Sequence, residues 1–227
     1  MALAGQGVLA IWNGITGEGE EDFYRWHNGE HMPERVGVPG FLRGRRYLHA
    51  ARPRDYFTLY ETESVETIRS APYLARLNDP TPWTRRVLPH FRDTARVGCR
   101  VVSSVGRGQG GALLTVRLHP AAGRESALRA ALTGAATETV RALAGFVGVH
   151  ILEPAPETTR IQTAEKALRG VQPGEAEARQ PWVVLVEAND PEVVEAAAGA
   201  PLRPALAHAE PGAAVGVYRL QISLDRA

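Results

Sequence analysis

The chain contains one cysteine, Cys99, and one lysine, Lys166, among its 227 residues. A single cysteine excludes an internal disulfide and a cysteine-based metal cage. No apolar run approaches the roughly 18 residues that a transmembrane helix needs. The formal net charge of +1 lacks the basic excess of a general nucleic-acid binder. The N-terminus has neither the basic nor the apolar region of a signal peptide, so the expected location is the cytoplasm.

Two common enzyme signatures are also missing. The glycine-rich residues 106–111 are not followed by a Walker lysine, and they do not match the dinucleotide-binding pattern before a helix. The G-x-S-x-G turn of many hydrolases does not occur. The hydrophobic fraction is 44% and the charged fraction is 22%, values of a globular chain that can bury a core.

The alternation of apolar residues predicts one structural unit written twice. In the first half, strands are expected at 7–15, 41–50, 56–63 and 94–104, and helices at 20–35 and 65–77. This β-α-β-β-α-β order is the ferredoxin-like signature. The second half repeats it, and Gly145-Phe146 opens a strand as Gly40-Phe41 does in the first half.

The predicted fold class is therefore α+β, with two tandem ferredoxin-like repeats that form a pseudo-symmetric dimeric α/β barrel within one chain. The expected domains are residues 1–105, a glycine-rich flexible linker at 106–111, and a degenerate second repeat at 112–227. The first repeat alone carries the segment 78–91. The second alone carries the polar insert 154–181, which is expected to be a mobile loop with a short helix near 163–169.

The segment 23–47, FYRWHNGEHMPERVGVPGFLRGRRY, resembles the signature region of the EthD-like dimeric α/β-barrel proteins. The residues that carry the resemblance are Trp26, Glu30, His31, Pro39, Gly40, Phe41, Arg45 and Arg46. The resemblance extends over residues 1–105 and is only an outline in the second repeat. It implies a ferredoxin-like barrel and a superfamily that includes small-molecule isomerases, polyketide cyclases, cofactor-free oxygenases and haem enzymes.

His31 is the leading candidate for a catalytic residue, and Glu30 is the second. A histidine with an ordinary pKa of about 6.5 is the natural proton carrier near neutral pH. The favoured function is a cofactor-independent lyase, isomerase or cyclase that acts on a small aromatic or polyketide-like metabolite. The alternatives are a non-catalytic small-molecule binding or accessory protein, and a cofactor-free or haem-assisted oxygenase. In a purely structural interpretation, His31 fixes the end of the helix.

Residues near the first helix and the sheet are candidates for substrate binding. They are Asn13, Trp26, His27, Arg43, Arg45, Tyr60, Tyr73, Trp83 and His90. The aromatic residues also suit a core, and the arginines also suit salt bridges to Glu61 or Glu63. The second repeat has no counterpart of His31, so one site is expected, in the first repeat, with the segment 78–91 as one wall. The expected partner is a small-molecule substrate, with no nucleic acid and no membrane, and the chain is expected to be a monomer or homodimer.

The stretch from His27 to His31 also matches the H-x-x-E-H pattern of a class of zinc proteases. Two imidazoles four residues apart can share one zinc ion. Gly29 within the helix and Pro33 just after the pattern argue against that interpretation. No metal is therefore expected, and the favoured cofactor-independent function implies no cofactor.

Overall fold

The computed structural model describes residues 3–170 and 179–227. In these ranges eight strands close into one antiparallel barrel, in the order β1-β3-β2-β8-β5-β7-β6-β4. The strands are β1 (Gly7–Ile15), β2 (Phe41–His49), β3 (Asp55–Thr62), β4 (Phe91–Gly106), β5 (Ala112–Leu118), β6 (Phe146–Pro154), β7 (Trp182–Ala188) and β8 (Ala214–Asp225). Closure removes the unpaired edges that an open sheet would expose.

The barrel has a pseudo-twofold arrangement. Each repeat contributes four neighbouring strands, β4-β1-β3-β2 from the first and β8-β5-β7-β6 from the second. The two seams between the repeats are equivalent, because β2 pairs with β8 and β4 pairs with β6. The predicted fold class, two ferredoxin-like repeats in one α/β barrel, is confirmed.

Helices cover the outer face of the sheet. The α-helices are α1 (Glu20–Trp26), α2 (Met32–Val36), α3 (Ala71–Asn78), α4 (Pro82–Val87), α5 (Glu125–Ala131), α6 (Thr137–Arg141), α7 (Ala164–Leu168), α8 (Pro191–Ala198) and α9 (Arg203–Leu206). Short 3₁₀ turns lie at Gly17–Gly19, Val65–Arg69, Leu88–His90 and Pro156–Thr158. The single helix expected at 65–77 is thus divided into a 3₁₀ turn and α3, because Pro72 fits the first turn of a new helix that Ser70 caps.

The main helix of each repeat is interrupted at a corresponding place, but in different ways. In the first repeat a π-helical turn spans His27–His31 between α1 and α2. In the second repeat the backbone between α5 and α6 is kinked at Gly134, which has φ −100° and ψ −110°, outside the helical region. The regular π turn therefore belongs to the first repeat, and π turns are often found at functional sites.

The turn from helix to strand depends on glycine in both repeats. Gly40 has φ +87° and Gly145 has φ +86°, in the left-handed region that side chains disfavour. A Cβ at Gly40 would lie 2.8 Å from the side chain of Thr67. The Gly-Phe recurrence in the sequence therefore marks a conformational requirement of the fold.

The barrel interior contains a buried charge cluster within an apolar core. The apolar residues include Val8, Trp12, Leu59, Val97, Leu113, Leu152 and Leu185. Arg45 contacts Glu61 at 3.0 Å and Glu187 at 2.9 Å, and all three side chains are fully buried. The backbone N–H groups of Ala4 and Gly110 donate to Glu61 and Glu187, respectively.

The glycine-rich linker is more constrained than expected. Gly110 donates its backbone N–H to Glu187 at 2.8 Å, and a Cβ at this position would lie 2.6 Å from the carbonyl oxygen of Ala188. Part of the predicted flexible segment is therefore packed against the barrel.

In the part of the chain that the structure describes, no helix combines the length and the apolar character required to cross a membrane.

Candidate functional site

A cavity of about 30 Å³ lies against the outer face of the first repeat's sheet. It is bounded by the helical segment that holds His31, by α3, by strands β1, β3 and β4, and by a segment of the second repeat. Its lining residues are Ile11, His31, Arg35, Tyr60, Ile68, Tyr73, Leu74, Leu77, Arg96, Thr158, Ile161, Thr163, Glu165, Lys166 and Arg169. We call residues 155–170 the cover segment, because they close this cavity from the second repeat.

The cover segment is attached to the first repeat by several contacts. The backbone N–H of Ala164 donates to Asn78 Oδ1 at 3.1 Å, and Arg96 donates to the carbonyl of Thr158 at 3.2 Å. A Cβ on Gly98 would lie 2.1 Å from Thr158 Oγ1, so only glycine permits this approach. The polar insert that was expected to be a mobile loop is therefore a wall of the cavity in its described part, and α7 corresponds to its predicted short helix.

The π turn and a stacking contact orient His31. Its ring lies 4.2 Å from the ring of Trp26, with an interplanar angle of 34°. The side chain is 7% exposed, and its Nδ1 has no hydrogen-bond partner among the described residues. Burial, followed by the positive charge of Arg35, lowers the pKa of His31 well below its usual value. The imidazole is therefore neutral near pH 7.

Polar atoms around the cavity are buried without partners. Among the described residues these are His31 Nδ1, Arg35 Nη1, Tyr60 Oη and Arg169 Nε. Arg35 Nη1 lies 3.3 Å from Glu34 Oε2, but it does not form a hydrogen bond there. Buried polar groups are nearly always paired in folded proteins, and an unpaired one costs about 1–3 kcal/mol. Their concentration around one cavity makes this cavity the candidate site.

The charge around the cavity is predominantly positive. Arg35, Arg96, Lys166 and Arg169 line it, and Glu165 is the acidic residue of the lining. Burial lowers the pKa of Lys166 to about 8, with contributions from Arg96 and Arg169. Lys166 Nζ donates to the carbonyl of Ile161 at 2.7 Å. An anionic group would be favoured in this environment.

The remaining walls are apolar. Ile11, Ile68, Leu74 and Leu77 line the cavity, together with the ring of Tyr73. The Arg35 guanidinium lies 5.8 Å from the centre of the Tyr73 ring. The present volume of about 30 Å³ holds about two waters, whereas ligand pockets commonly have about 300–1,000 Å³. A metabolite would therefore enter only if the walls of the cavity move apart.

Three of the predicted site residues, His31, Tyr60 and Tyr73, line the cavity. The ring of Trp26 packs against the ring of His31, and Trp26 donates its Nε1–H to Thr84 Oγ1 at 3.1 Å. Glu30 faces away and accepts a hydrogen bond from Thr81 Oγ1 at 2.6 Å.

The other predicted residues lie elsewhere. His27 is 3.1 Å from Arg46 Nη1, which donates to its Nδ1, and burial lowers the pKa of His27. Trp83 donates to Asp22 at 2.9 Å. His90 pairs with Thr16 at 2.9 Å. Asn13 is buried near the end of β1, with its amide 3.5 Å from the carbonyl of Gly14.

Arg43 and Arg45 point into the barrel interior rather than into the cavity. Both pair with Glu61, which is the salt bridge that the sequence offered as the alternative to ligand binding. The zinc interpretation also lacks support, because no group of three metal-ligating side chains occurs within the described ranges. His27 and Glu30 already have other partners, Arg46 and Thr81.

Sequence reasoning missed most of the charged residues of the cavity. Arg35, Arg96, Glu165, Lys166 and Arg169 were not singled out as site residues. One signal was present, because Arg35 follows His31 by four residues and helical residues at that spacing share a face. The segment 78–91, expected as a wall, packs against α1 instead, and the cover segment takes its place.

No family model and no curated protein matches this sequence. Solved structures match over nearly the whole chain. An anthrone oxidase-like protein superposes with TM-score 0.65 at 8% identity, covering 100% of this chain and 96% of its own. A Listeria monocytogenes 4b F2365 ferredoxin-fold protein related to antibiotic biosynthesis monooxygenases gives 0.51 at 9%, covering 97% of each chain. A haem-binding protein from Thermus thermophilus gives 0.53 at 13%, covering 96% and 92%.

These similarities establish the fold, which is that of ferredoxin-fold α/β-barrel proteins. They also overturn the favoured function from the sequence. The lyase, isomerase or cyclase expectation is wrong, because the matching structures are named for an oxidase-like protein, a monooxygenase relative and a haem-binding protein. The oxygenase that the sequence offered as an alternative agrees better with them.

Proposed function

We propose that this chain is a cofactor-independent oxygenase that acts on a small aromatic or polyketide-like compound with an ionisable hydroxyl group conjugated to an activated carbon. The observation that carries the proposal is the cavity, around which the described residues leave four buried atoms without a hydrogen-bond partner: His31 Nδ1, Tyr60 Oη, Arg35 Nη1 and Arg169 Nε. The apolar walls suit an aromatic ring system, and the positive charge suits its anion.

The cavity residues would promote ionisation of the substrate. Burial raises the pKa of Tyr60, so its hydroxyl keeps its proton and donates a hydrogen bond to a substrate oxyanion. The guanidinium groups of Arg35 and Arg169 lower the pKa of a bound phenol or enol through their field. His31 Nδ1 has a lone pair available in the neutral Nε2–H tautomer, and it accepts the proton that the substrate loses.

An ionised substrate of this kind is electron-rich enough to reduce dioxygen itself. The overall reaction of an activated methylene is R₂CH₂ + O₂ → R₂C=O + H₂O. One oxygen atom enters the carbonyl group of the product and the other leaves as water. The protein's part is to hold the anion in an apolar, water-poor cavity and to manage the proton through His31.

The residues present do not form a haem pocket. A porphyrin is much larger than the small aromatic compound proposed as substrate, so the closed cavity of about 30 Å³, with the Arg35–Glu165 ion pair across it, would have to open much further for haem than for that substrate. No step of the proposed reaction therefore involves haem. Adding haemin and recording the visible spectrum tests this conclusion, since a Soret band shifted by protein ligation would contradict it.

A binding protein without turnover is the second candidate function. The low pKa of His31 favours it, because an imidazole that resists protonation is a weak base until a substrate anion lies beside it.

We also propose that the chain is an EthD-like protein, that its partner is a small molecule, and that it is a monomer or a homodimer. The resemblance of residues 23–47 supports the first of these.

The decisive experiment measures oxygen consumption with anthrone in metal-depleted, haem-free protein. We expect conversion to the quinone faster than the spontaneous background, with one O₂ consumed per product. His31→Gln should reduce this rate, and His90→Gln, which changes a histidine outside the cavity, should not. Anthrone binding without acceleration would favour the binding-protein candidate, and absence of both would contradict the site itself.

A further inference from the structure

The carboxylate of Glu165 lies inside the cavity between Arg35 of the first repeat and Arg169 of the cover segment. It pairs with Arg35 Nη2 on the first repeat, and its other oxygen lies 3.2 Å from Arg169 Nη2 on the cover segment. Glu165 is 2% exposed, as is Arg35. This contact is the buried ion pair between the cover segment and the helix of His31.

The two arginines have more hydrogen-bonding capacity than Glu165 uses. Arg35 Nη1 and Arg169 Nε have no hydrogen-bond partner among the described residues. A guanidinium group presents five N–H donors in a planar fork that matches a carboxylate. Arg35 and Arg169 can therefore bind a planar anion that is larger than the carboxylate of a glutamate side chain or that lies in a different position.

We propose that Arg35 and Arg169 form a subsite for the carboxylate of an aromatic ligand, and that Glu165 occupies this subsite as an internal competitor. A ligand carboxylate that replaces Glu165 removes the buried ion pair that joins the cover segment to α2. Binding of the ligand carboxylate and displacement of Glu165 from the two arginines are then one event. The proposal uses the same cavity as the proposed oxygenase, but it concerns binding alone and is tested without turnover.

An internal competitor is effective because it is covalently attached. A tethered group acts at an effective concentration in the millimolar range or above, so a free carboxylate competes poorly against Glu165. Removing the charge of Glu165 should therefore increase the affinity for an anionic ligand and leave the affinity for its uncharged analogue unchanged.

The test compares 2-naphthoate with 2-naphthamide, which share the ring system and differ in charge. Titration calorimetry would measure both ligands on the wild-type chain, Glu165→Gln and Glu165→Asp. We expect Glu165→Gln to bind 2-naphthoate about tenfold or more tightly than the wild type, and 2-naphthamide equally well. Glu165→Asp keeps the charge but retracts it by one methylene, so it should give a smaller gain for 2-naphthoate only.

The matched control is Glu153→Gln, which breaks an Arg–Glu pair of the second repeat outside the cavity. It should leave both affinities at wild-type values. Equal tightening of both ligands by Glu165→Gln would mean that Glu165 acts only as a steric cover, and unchanged 2-naphthoate binding would mean that no anion subsite exists. Either result overturns the proposal. If Glu165→Gln does not fold, the Glu165→Asp comparison decides by the same criterion. Oxygenase activity can be absent while these results hold, and the reverse is equally possible.

Discussion

Arg45 Nη1 donates to Glu187 Oε2 at 2.9 Å across the barrel interior, and both side chains are fully buried. Arg45 belongs to β2 of the first repeat and Glu187 to β7 of the second. Arg45 also contacts Glu61, the counterpart of Glu187 in the first repeat, and Arg43 pairs with the same Glu61 carboxylate at 2.7 Å. Arg45 therefore bridges two carboxylates that the pseudo-twofold symmetry brings together, and it is the arginine that reaches Glu187.

Replacing Arg45 with methionine should destabilise the protein by about 3–5 kcal/mol, because it leaves the buried carboxylate of Glu187 without its arginine partner. Urea unfolding monitored by circular dichroism would measure this change. The matched control is Arg141→Met, which removes an exposed ion pair with Glu138 and should cost about 0–1 kcal/mol. A loss at Arg45 as small as that of the control would contradict the central role of this contact.

Stability should fall as the pH drops below about 6.5, the ordinary histidine pKa. Burial lowers the pKa of His27 and of His31 in the folded state. The unfolded chain therefore binds protons that the folded chain does not, and stability increases with pH in this range. Each such histidine contributes a slope of up to about 1.4 kcal/mol per pH unit.

The measurement is the free energy of unfolding against pH for the wild type and His31→Gln. The variant should show a shallower slope between about pH 6.5 and about pH 5. Identical slopes for the wild type and His31→Gln would show that His31 is protonated in the folded state.

Glu187 titrates in a lower pH range. Burial opposes its ionisation, but its hydrogen bond to His150 and the charge of Arg45 outweigh burial and lower its pKa to about 2. The contribution of Glu187 to stability is present above about pH 4.5 and is lost as the pH falls toward about 2.

Tyr60→Phe should separate activity from stability. The Tyr60 hydroxyl is buried without a partner among the described residues, so its removal should leave the free energy of unfolding unchanged or raise it by about 1 kcal/mol. The same change removes the proposed oxyanion donor and should lower kcat by about 10–10³-fold. Thermal denaturation and the oxygen-uptake assay would measure both effects. A variant that loses stability and keeps its activity would contradict this role of Tyr60.

Two glycines of the first repeat should respond oppositely to alanine. Gly40→Ala places a Cβ 2.8 Å from Thr67 at a residue with φ +87°, and it should cost more than about 1 kcal/mol. Gly29 lies in the π turn, and a Cβ added there would meet nothing within 4 Å, so Gly29→Ala should stabilise by about 0.5–1 kcal/mol. Thermal unfolding compares the two. A gain at Gly40 would show that its turn tolerates a side chain.

The strands and their duplication were predictable because apolar alternation and glycine turns are local signals. The predicted bounds of β1, residues 7–15, coincide with the observed ones. It was harder to predict which side chains of a strand point into the barrel and which point toward the helices, since both sides of the sheet are buried. For this reason Arg43 and Arg45 were possible ligand contacts in the sequence, whereas the structure pairs them with Glu61.

Only some of the residues that line the cavity could be predicted from the sequence. His31, Tyr60 and Tyr73 stand on repeated elements whose positions follow from the fold. Glu165 lies in a polar insert without periodicity, so nothing in its local sequence tells which surface it contacts. Its partner Arg35 is 130 residues away in the chain, and such a pairing depends on tertiary packing alone.

The cover segment has a consequence for how this chain can change over generations. A duplicated protein ordinarily frees one copy to drift, but here the insert of the second copy closes the cavity of the first. A substitution at either Arg35 or Glu165 therefore breaks an ion pair that spans the two repeats. A barrel built from two copies of either repeat alone would lack part of this cavity, because its walls come from both.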